Sequence, residues 1–529
     1  MGLDLVLRGG LIVDGTGGAP FVGDLAVRGE RIEAIGPLAA VPAAQWLDVR
    51  GLVVAPGFID IHAHGDLYPL LCPEAPGRLH DGVTTEVIGN CGESPFPQSP
   101  AMLAERAESA RRHGIAIDWD TFDAYAARHD SIGCGINRVA LVGHGNVRQA
   151  VMGEEDRAAS PDELAAMCRE VEKALDAGAF GISTGLYYTP GMFARAGEID
   201  ALCAIVARRG GLYASHIRNE GDAIEEAIEE FTGVGRRTGV RLQLSHVKVS
   251  GRANWPKADR VIERLQALRA SGLDLACDRY PYIASSTSLS SQLPGWAREG
   301  GRAPMLERIS APGTRAKLVE ALVADFPSDE AWAALRIADA ACDQWRAAEG
   351  RSILEIAAGS GREPAEMVLD LLSASEGRAS IVHFTMCEEN LVKWLKLPFV
   401  AIGSDSSSRA IDGPTSVGKP HPRSYGTCAR VLGRYVREKG VLSLPEGVRR
   451  LTGLPASRLG LKRRGLLRPG AVADITVFDP NEVADRATYE VPQQYSVGVR
   501  HVLVNGALAV KDGELTGTRN GRFLRKGAE

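Results

Sequence analysis

Two histidines, His62 and His64, are separated by one residue and follow an apolar run that begins at Pro56. Side chains alternate along a β-strand, so both imidazoles would lie on the same side at the carboxyl end of this strand. Imidazole nitrogens are common ligands of zinc and other divalent metals. The pair alone is a weak signal, because motifs this short also arise by accident on protein surfaces.

Four further side chains with metal-binding or proton-transfer chemistry occur in the same context, each near the carboxyl end of a short apolar run rich in β-forming residues. They are Cys91, His216, His246 and Asp405. Each run alone fits a buried strand with a polar end, but six such side chains together indicate a site. In a barrel of parallel strands the carboxyl ends meet on one face, so residues far apart in sequence come together there.

The chemistry of these groups favours a zinc-dependent hydrolase. Imidazole and thiolate ligands together favour zinc, and a catalytic zinc keeps one position open for water or substrate. A metal would hold Cys91 as a thiolate, which could lie between two adjacent metal positions. Asp405 could take a proton from the attacking water and pass it to a leaving nitrogen, as amide hydrolysis requires. The alternatives are an inert buried thiol at Cys91 and a turn-forming aspartate at Asp405.

Two cations and a tyrosine point to a substrate that carries a carboxylate. Lys248 lies two residues after His246, so strand periodicity directs both side chains to the same side. Arg423 could hold a carboxylate with two hydrogen bonds, and the hydroxyl of Tyr282 could donate to the same group. Each cation alone would also fit a solvated surface position, and the tyrosine would also fit a packed core.

The composition limits the classes of partner that we expect for this protein. The chain of 529 residues has a formal net charge of -5 and no long basic run, which argues against a nucleic-acid partner. No uncharged apolar stretch approaches the ~18 residues that span a bilayer, so we expect no membrane partner. The nine cysteines form no Cys-x-x-Cys pair, and the first residues lack a signal-peptide pattern. We therefore expect a cytoplasmic protein that acts on a small molecule; its oligomeric state stays open.

The arrangement of β and α patterns predicts the domain organisation. Residues 1–55 and 465–529 read as short alternating strands with turns, which could form one small β-sandwich domain or separate caps. Residues 56–464 alternate between apolar strands and helices, the pattern of βα units around a parallel sheet. We predict an α/β fold in which a (β/α)8 TIM-like barrel carries this small domain and an insertion at about 286–378, between the last two barrel strands.

The carboxyl ends of the eight predicted barrel strands fall near His64, Cys91, His144, Gly185, His216, His246, residues 278–282 and Asp405. A further strand pattern at 379–384 leaves the assignment of the seventh and eighth strands open. A doubly wound sheet is the alternative fold, but its glycine-rich phosphate motif after the first strand is missing. The insertion could be a lid over the site or a purely structural excursion.

The order of these motifs resembles the amidohydrolase superfamily and, more closely, its D-aminoacylase branch, the N-acyl-D-amino-acid deacylases. The resemblance runs nearly from end to end. It is carried by the motifs at 56–64, 82–92, 143–145, 215–220, 245–248, 403–405 and 421–423. The element Gly-Asn-Cys-Gly at 89–92 is the most specific of them.

This resemblance implies roles for the predicted site residues. It implies one tightly bound zinc on Cys91, His216 and His246, and a second, weaker site on His62, His64 and Cys91. It implies Asp405 as the general acid/base, and it assigns the α-carboxylate of the substrate to Lys248, Tyr282 and Arg423. Most superfamily members bridge two metals with a carbamylated lysine or a glutamate on the fourth strand. Residues 179–185 offer neither, and Cys91 fills that place.

The expected activity is therefore zinc-dependent hydrolysis of N-acyl-D-amino acids to a carboxylate and a free D-amino acid. The preference for the D configuration follows from the resemblance alone. A cyclic amide hydrolase of the hydantoinase or dihydroorotase kind is the first alternative, although such enzymes use the lysine that the fourth strand lacks. A non-catalytic scaffold is the second, although it should have lost several of the six groups.

Overall fold

The computed structural model describes residues 2–38, 42–111 and 114–528 of the chain. Within these residues, eight parallel strands follow one another around a barrel, and the third is interrupted at Leu141. Their bounds are Phe58–Asp60, Val83–Ile88, Asn137–Ala140 with Val142–Gly143, Gly181–Gly185, Leu212–His216, Arg241–Leu244, Leu275–Arg279 and Val400–Ile402. These strands are buried almost throughout, as is typical of parallel sheets covered by helices. The predicted α/β barrel is confirmed.

The first and last barrel strands meet just beyond their carboxyl ends. The backbone N–H of Asp405 donates to the carbonyl of His62 at 2.7 Å, and the N–H of His64 donates to the carbonyl of Ser406 at 2.9 Å. These hydrogen bonds bring the His-x-His motif against the segment around Asp405. Residues more than three hundred positions apart in sequence therefore share one end of the barrel.

The helices of the barrel region lie between the strands and pack on their outer surface. Local sequence sets their ends: Pro161–Ala177 begins at a capping box formed by Ser160 and Glu163 and ends at Gly178 in a left-handed conformation. The α-helices are Pro76–His80, Pro100–Arg111, Phe122–Ile132, His144–Met152, Pro161–Ala177, Ala196–Arg208, Ile224–Thr238, Ala258–Ala270, Glu388–Lys396, Arg423–Arg430, Leu444–Leu451 and Gly453–Leu459. Shorter 3-10 turns and a π-helical stretch, Val431–Glu438, complete the region.

The two terminal segments build one sheet outside the barrel. Val53–Pro56 pairs antiparallel with Ile475–Phe478, which joins the N-terminal strands to the C-terminal ones. In the described residues this sheet contains nine strands, namely Leu3–Ile12, Phe21–Arg28, Arg31–Gly36, Ala43–Asp48, Val53–Pro56, Ile475–Phe478, Val499–Val504, Ala507–Lys511 and Glu514–Leu515. The terminal segments thus meet in one sheet instead of forming separate caps.

An insertion with its own apolar core separates the last two barrel strands. Its sheet pairs Ser380–His383 antiparallel with Ser285–Ser288 and with Leu335–Asp339. Its helices are Gly295–Arg298, Arg302–Ser310, Pro312–Asp325, Asp329–Ala333, Ile353–Ser360 and Pro364–Ala374. The strand pattern at 379–384 therefore belongs to the insertion, and Val400–Ile402 is the last barrel strand. No helix in the described ranges is long and apolar enough to cross a membrane.

Candidate active site

A cavity of about 610 Å³ opens where the carboxyl ends of the barrel strands meet the insertion. Its wall includes His64, Cys91, His216, His246 and Asp405. His62, the remaining predicted ligand, is fully buried beneath this wall. The structure therefore brings together all six groups that follow the barrel strands.

Cys91 lies at the centre of this cluster. Its Sγ atom is 3.4 Å from His62 Nε2, 3.4 Å from His246 Nε2 and 3.9 Å from His216 Nδ1. A tetrahedral zinc, with bonds of about 2.3 Å to sulfur and about 2.0 Å to nitrogen, separates a sulfur and a nitrogen ligand atom by about 3.5 Å. The spacing and the chemistry of these side chains thus fit a zinc ion.

The ionisation of Cys91 also suits a metal ligand. Burial disfavours the thiolate, but His62 and His246 outweigh it and hold the pKa of Cys91 well below its usual range. Burial likewise opposes the imidazolium of His62, but Asp278 and Cys91 raise the pKa of His62 well above its usual value. The thiolate is the form of cysteine that binds metals.

The ligand atoms group in two overlapping sets. His62, Cys91, His246 and Asp405 each offer an atom within 4.8 Å of the others, and His216, Glu220 and His246 form a second group. His64 lies beside the first group, with its Nε2 3.1 Å from Asp405 Oδ1. In spite of burial, this hydrogen bond raises the pKa of His64 to about 10.

Asp405 lies between the guanidinium of Arg423 and the imidazoles of His64 and His62. Its Oδ2 accepts a hydrogen bond of 2.8 Å from the Arg423 guanidinium, and its Oδ1 faces His64 and lies 3.4 Å from His62 Nε2. Burial raises its pKa, but Arg423 and His246 lower it more, so the pKa of Asp405 stays well below its usual range. Asp405 is therefore in the carboxylate form, the form that can accept a proton.

Asp278 orients two of the predicted ligands, a role that the sequence did not suggest. Its Oδ1 lies 3.0 Å from His62 Nδ1 and accepts the backbone N–H of His246 at 2.7 Å, while its Oδ2 accepts from Gln243. A hydrogen bond to one imidazole nitrogen fixes the ring and leaves the other nitrogen for the metal. His62 is fixed in this way with Nε2 towards Cys91.

Glu220 faces the ring nitrogens of His246 and His216 that point away from Cys91. Its Oε1 lies 3.0 Å from His246 Nδ1, and its Oε2 lies 3.9 Å from His216 Nε2. Lys248 donates to the same carboxylate at 2.5 Å. Burial raises the pKa of Glu220, but the ammonium of Lys248 and the two imidazoles lower it below its usual range. The only sequence signal for this carboxylate is its place four residues after His216.

The structure places Tyr282 outside the cavity, which corrects its predicted position. Tyr282 is 2% exposed and packs against the ring of His421 and the guanidinium of Arg430. Tyr280 lines the cavity instead, and its buried hydroxyl has no hydrogen-bond partner there. The ring of Tyr280 lies 4.6 Å from the Arg423 guanidinium and 5.8 Å from Lys248 Nζ. Lys248, Tyr280 and Arg423 therefore form one group on the wall.

Comparisons with known proteins find relatives over nearly the whole chain. The model of the amidohydrolase family matches residues 45–259 and 400–510, and the unmatched interval contains the insertion. The N-acyl-D-glutamate deacylase of Alcaligenes xylosoxydans xylosoxydans is 39% identical over 99% of this chain and 97% of its own. The D-aminoacylase of the same organism is 36% identical over 99% and 98%.

A solved structure shows the same similarity in three dimensions. The N-acyl-D-glutamate deacylase of Bordetella bronchiseptica, complexed with zinc and a phosphonate mimic of the tetrahedral intermediate, superposes with a TM-score of 0.84. It is 36% identical, and the match covers 99% of this chain and all of that one. The family match, the full-length identity and the shared structure lead to one assignment. This chain belongs to the amidohydrolase family, within its branch of N-acyl-D-amino-acid deacylases.

Proposed function

We propose that this protein hydrolyses the amide bond of N-acyl-D-amino acids and releases a carboxylate and a free D-amino acid. The observation that carries the proposal is the environment of Cys91: a thiolate within 3.9 Å of three imidazole nitrogens, beside the carboxylate of Asp405. This donor set suits a metal-dependent hydrolase that works without a carbamylated lysine. The full-length relatives that are deacylases support the same activity.

The proposed metal is zinc, held tightly by Cys91, His216 and His246, with a second, weaker site on His62, His64 and Cys91. The S-to-N distances around Cys91 and the zinc in the Bordetella relative support this choice. When bound, zinc supplies a Lewis acid for the scissile carbonyl and acidifies the attacking water. Glu220 and Asp278 hold the imidazoles in the orientations that this set needs.

Asp405 carries the proton through the reaction. Its carboxylate accepts a proton from the attacking water as the new C–O bond forms. It then donates that proton to the amide nitrogen as the C–N bond breaks, so the amine leaves neutral and Asp405 returns to the carboxylate. Arg423 and His64, which hold the two carboxylate oxygens, keep Asp405 aimed at the cavity.

We propose that Lys248, Tyr280 and Arg423 bind the α-carboxylate of the substrate. Arg423→Met should therefore remove most of the enzyme's preference for an N-acetyl-D-amino acid over the matching carboxamide. A hydrogen bond to a charged group contributes about 1.5–3 kcal/mol, so the ratio of the two kcat/KM values should fall by about tenfold or more. The measurement is kcat/KM for both substrates with both enzymes.

The carboxamide is the control in this design, because Arg423 also contacts Asp405. Loss of that contact slows both substrates alike and cancels in the ratio. A ratio equal to that of the wild type would contradict the proposed role of Arg423.

The cavity wall favours a substrate with polar groups. Hydroxyl and amide side chains line much of it, including Ser285–Ser288, Asn219, Asn254, Gln292 and Ser380. The described residues of the wall include no leucine, isoleucine, methionine or phenylalanine. An apolar substrate side chain could not hydrogen-bond to these groups, and each group that it buried without any other partner would cost about 1–3 kcal/mol. We expect polar D-amino acids to be the better substrates.

The decisive test is amine release by zinc-loaded enzyme from paired N-acetyl-D- and N-acetyl-L-amino acids. The panel should contain glutamine and glutamate beside methionine and leucine of similar length. We expect turnover in the D series, with kcat/KM about tenfold or more higher for the polar members. Equal rates for D and L substrates would contradict the proposal, and turnover of hydantoins in their place would favour a cyclic amide hydrolase.

The remaining assignments are proposals of the same kind. We propose that residues 1–55 and 465–529 form one domain and 56–464 the barrel domain, and the pairing of Val53–Pro56 with Ile475–Phe478 supports this division. We also propose a cytoplasmic location, which the free thiols of the nine cysteines support, because such thiols persist in reducing compartments.

A further inference from the structure

A cluster of buried charges lies beside Asp405 and takes no part in the proposed chemistry. Asp60, Arg78, Glu86 and Arg138 are each 3% exposed or less. Arg78 Nε donates to Glu86 Oε2 at 3.0 Å and its Nη1 lies 3.3 Å from Asp60 Oδ2, while Arg138 Nε donates to Glu86 Oε1 at 2.8 Å. Transferring such charges out of water can cost more free energy than their ion pairs and hydrogen bonds recover. Stability alone is therefore a poor explanation for the cluster.

Members of the cluster form hydrogen bonds with the backbone on both sides of Asp405. Asp60 accepts the backbone N–H of Ser404 at 2.8 Å and its hydroxyl at 2.5 Å. Arg78 Nη2 donates to the carbonyl of Ser406 at 2.6 Å. The residues immediately before and after Asp405 are thus each hydrogen-bonded to a member of the cluster, and Asp60 and Arg78 are themselves an ion pair.

Asp405 needs such support because of its backbone conformation. Its φ is +53°, in the left-handed region that residues other than glycine rarely adopt. A strained residue of this kind persists only where its surroundings fix it, and such residues concentrate at functional sites. Here φ directs the carboxylate back towards His64 and Arg423, while the N–H of Asp405 donates to the carbonyl of His62.

We infer that Arg78 is a positioning residue: together with Asp60 it holds the Ser404–Ser406 backbone so that the Asp405 carboxylate stays in the cavity. The inference rests on the proposed role of Asp405 in proton transfer. Arg78 does not reach the substrate; it acts through the carbonyl of Ser406 and through Asp60. Glu86 aligns the guanidinium from the other side.

Arg78→Lys tests this inference against a matched control, Arg138→Lys. Both changes remove a buried guanidinium from Glu86, but Arg138 contacts Glu86 and His129 instead of the Ser406 carbonyl. A small displacement of a catalytic group can cost about a hundredfold in rate. We expect kcat to fall by about tenfold to a hundredfold in Arg78→Lys. KM and bound zinc should stay at wild-type levels, and Arg138→Lys should keep most of its kcat.

Two smaller substitutions test the same inference if either lysine variant fails to fold. Ser404→Ala removes the hydroxyl that donates to Asp60, and Ser408→Ala removes a hydroxyl that donates to Glu86 in the same cluster at 2.9 Å. Both serines are about 1% exposed. Ser404→Ala should lower kcat, and Ser408→Ala should leave it close to the wild-type value.

Amide hydrogen exchange supplies a readout that does not depend on activity. The peptide spanning residues 400–408 should exchange faster in Arg78→Lys and Ser404→Ala than in the two controls. Unchanged exchange in both test variants, or equal losses of kcat in test and control, would overturn the inference. Full activity of Asp405→Asn would defeat the proposed function, while faster exchange in Arg78→Lys would still support the positioning of this backbone.

Discussion

Asp405→Asn should lower kcat by about a hundredfold to ten-thousandfold while zinc remains bound. The amide has nearly the same shape as the carboxylate but cannot accept the proton of the attacking water. Arg423 and His246 hold the pKa of Asp405 well below its usual range, so the wild-type group is a carboxylate at neutral pH. The proposed tight zinc set, Cys91, His216 and His246, does not include Asp405. Steady-state kinetics together with atomic emission of zinc measure both quantities.

The control for this substitution is Asp339→Asn, which changes another carboxylate on the cavity wall. Asp339 lies on the sheet of the insertion and accepts the backbone N–H of Ala341. Its variant should retain most of the wild-type kcat. If Asp405→Asn were as active as Asp339→Asn, the proton would have to travel through a different group, and the proposed mechanism would be wrong.

The sequence predicted which side chains the structure brings together, because each of them lies at or just after the end of a barrel strand. Parallel strands bring their carboxyl ends to one face, and that rule needs no detailed geometry. The alternation of side chains along a strand does not predict how these residues are oriented. The strands before His62, Cys91, His246 and Asp405 end two or more residues earlier, at Asp60, Ile88, Leu244 and Ile402. Left-handed backbone at Cys91, His246 and Asp405, with φ of +52°, +35° and +53°, turns these side chains inwards.

The same limit explains what the sequence missed. The seventh strand ends at Arg279, so alternation could not tell which of Tyr280 and Tyr282 faces the cavity. Lys248 does line the cavity, but it lies beyond the end of its strand and is held by Glu220. Glu220 contacts His246, and Asp278 contacts His62 and His246. These partners lie far away in sequence, and no local pattern encodes such contacts.

Cys91→Ala should remove the bound zinc and, with it, all measurable turnover. Sγ is the one ligand atom shared by both proposed zinc positions, and three imidazole nitrogens surround it within 3.9 Å. Without the thiolate, His216 and His246 alone would remain for the tight site, and two neutral imidazoles do not complete the ligand set of a catalytic zinc. Zinc per chain should fall from about one to near zero after dialysis. A chelator competition at fixed pH measures the affinity directly.

Two further variants separate this result from a general effect of cysteine removal. Cys277 is buried on the seventh barrel strand, where burial raises the pKa of its thiol, so Cys277→Ala should retain zinc and activity. His64 belongs only to the weaker proposed site and contacts Asp405. His64→Ala should therefore retain one zinc per chain, although its kcat should fall. If Cys91→Ala bound zinc as tightly as Cys277→Ala does, imidazoles and carboxylates would be the ligands of the metal. The proposed central role of the thiolate would then be contradicted. If His64→Ala also lost its zinc, the site on His62, His64 and Cys91 would be the tight one, and the proposed order of the two affinities would be wrong.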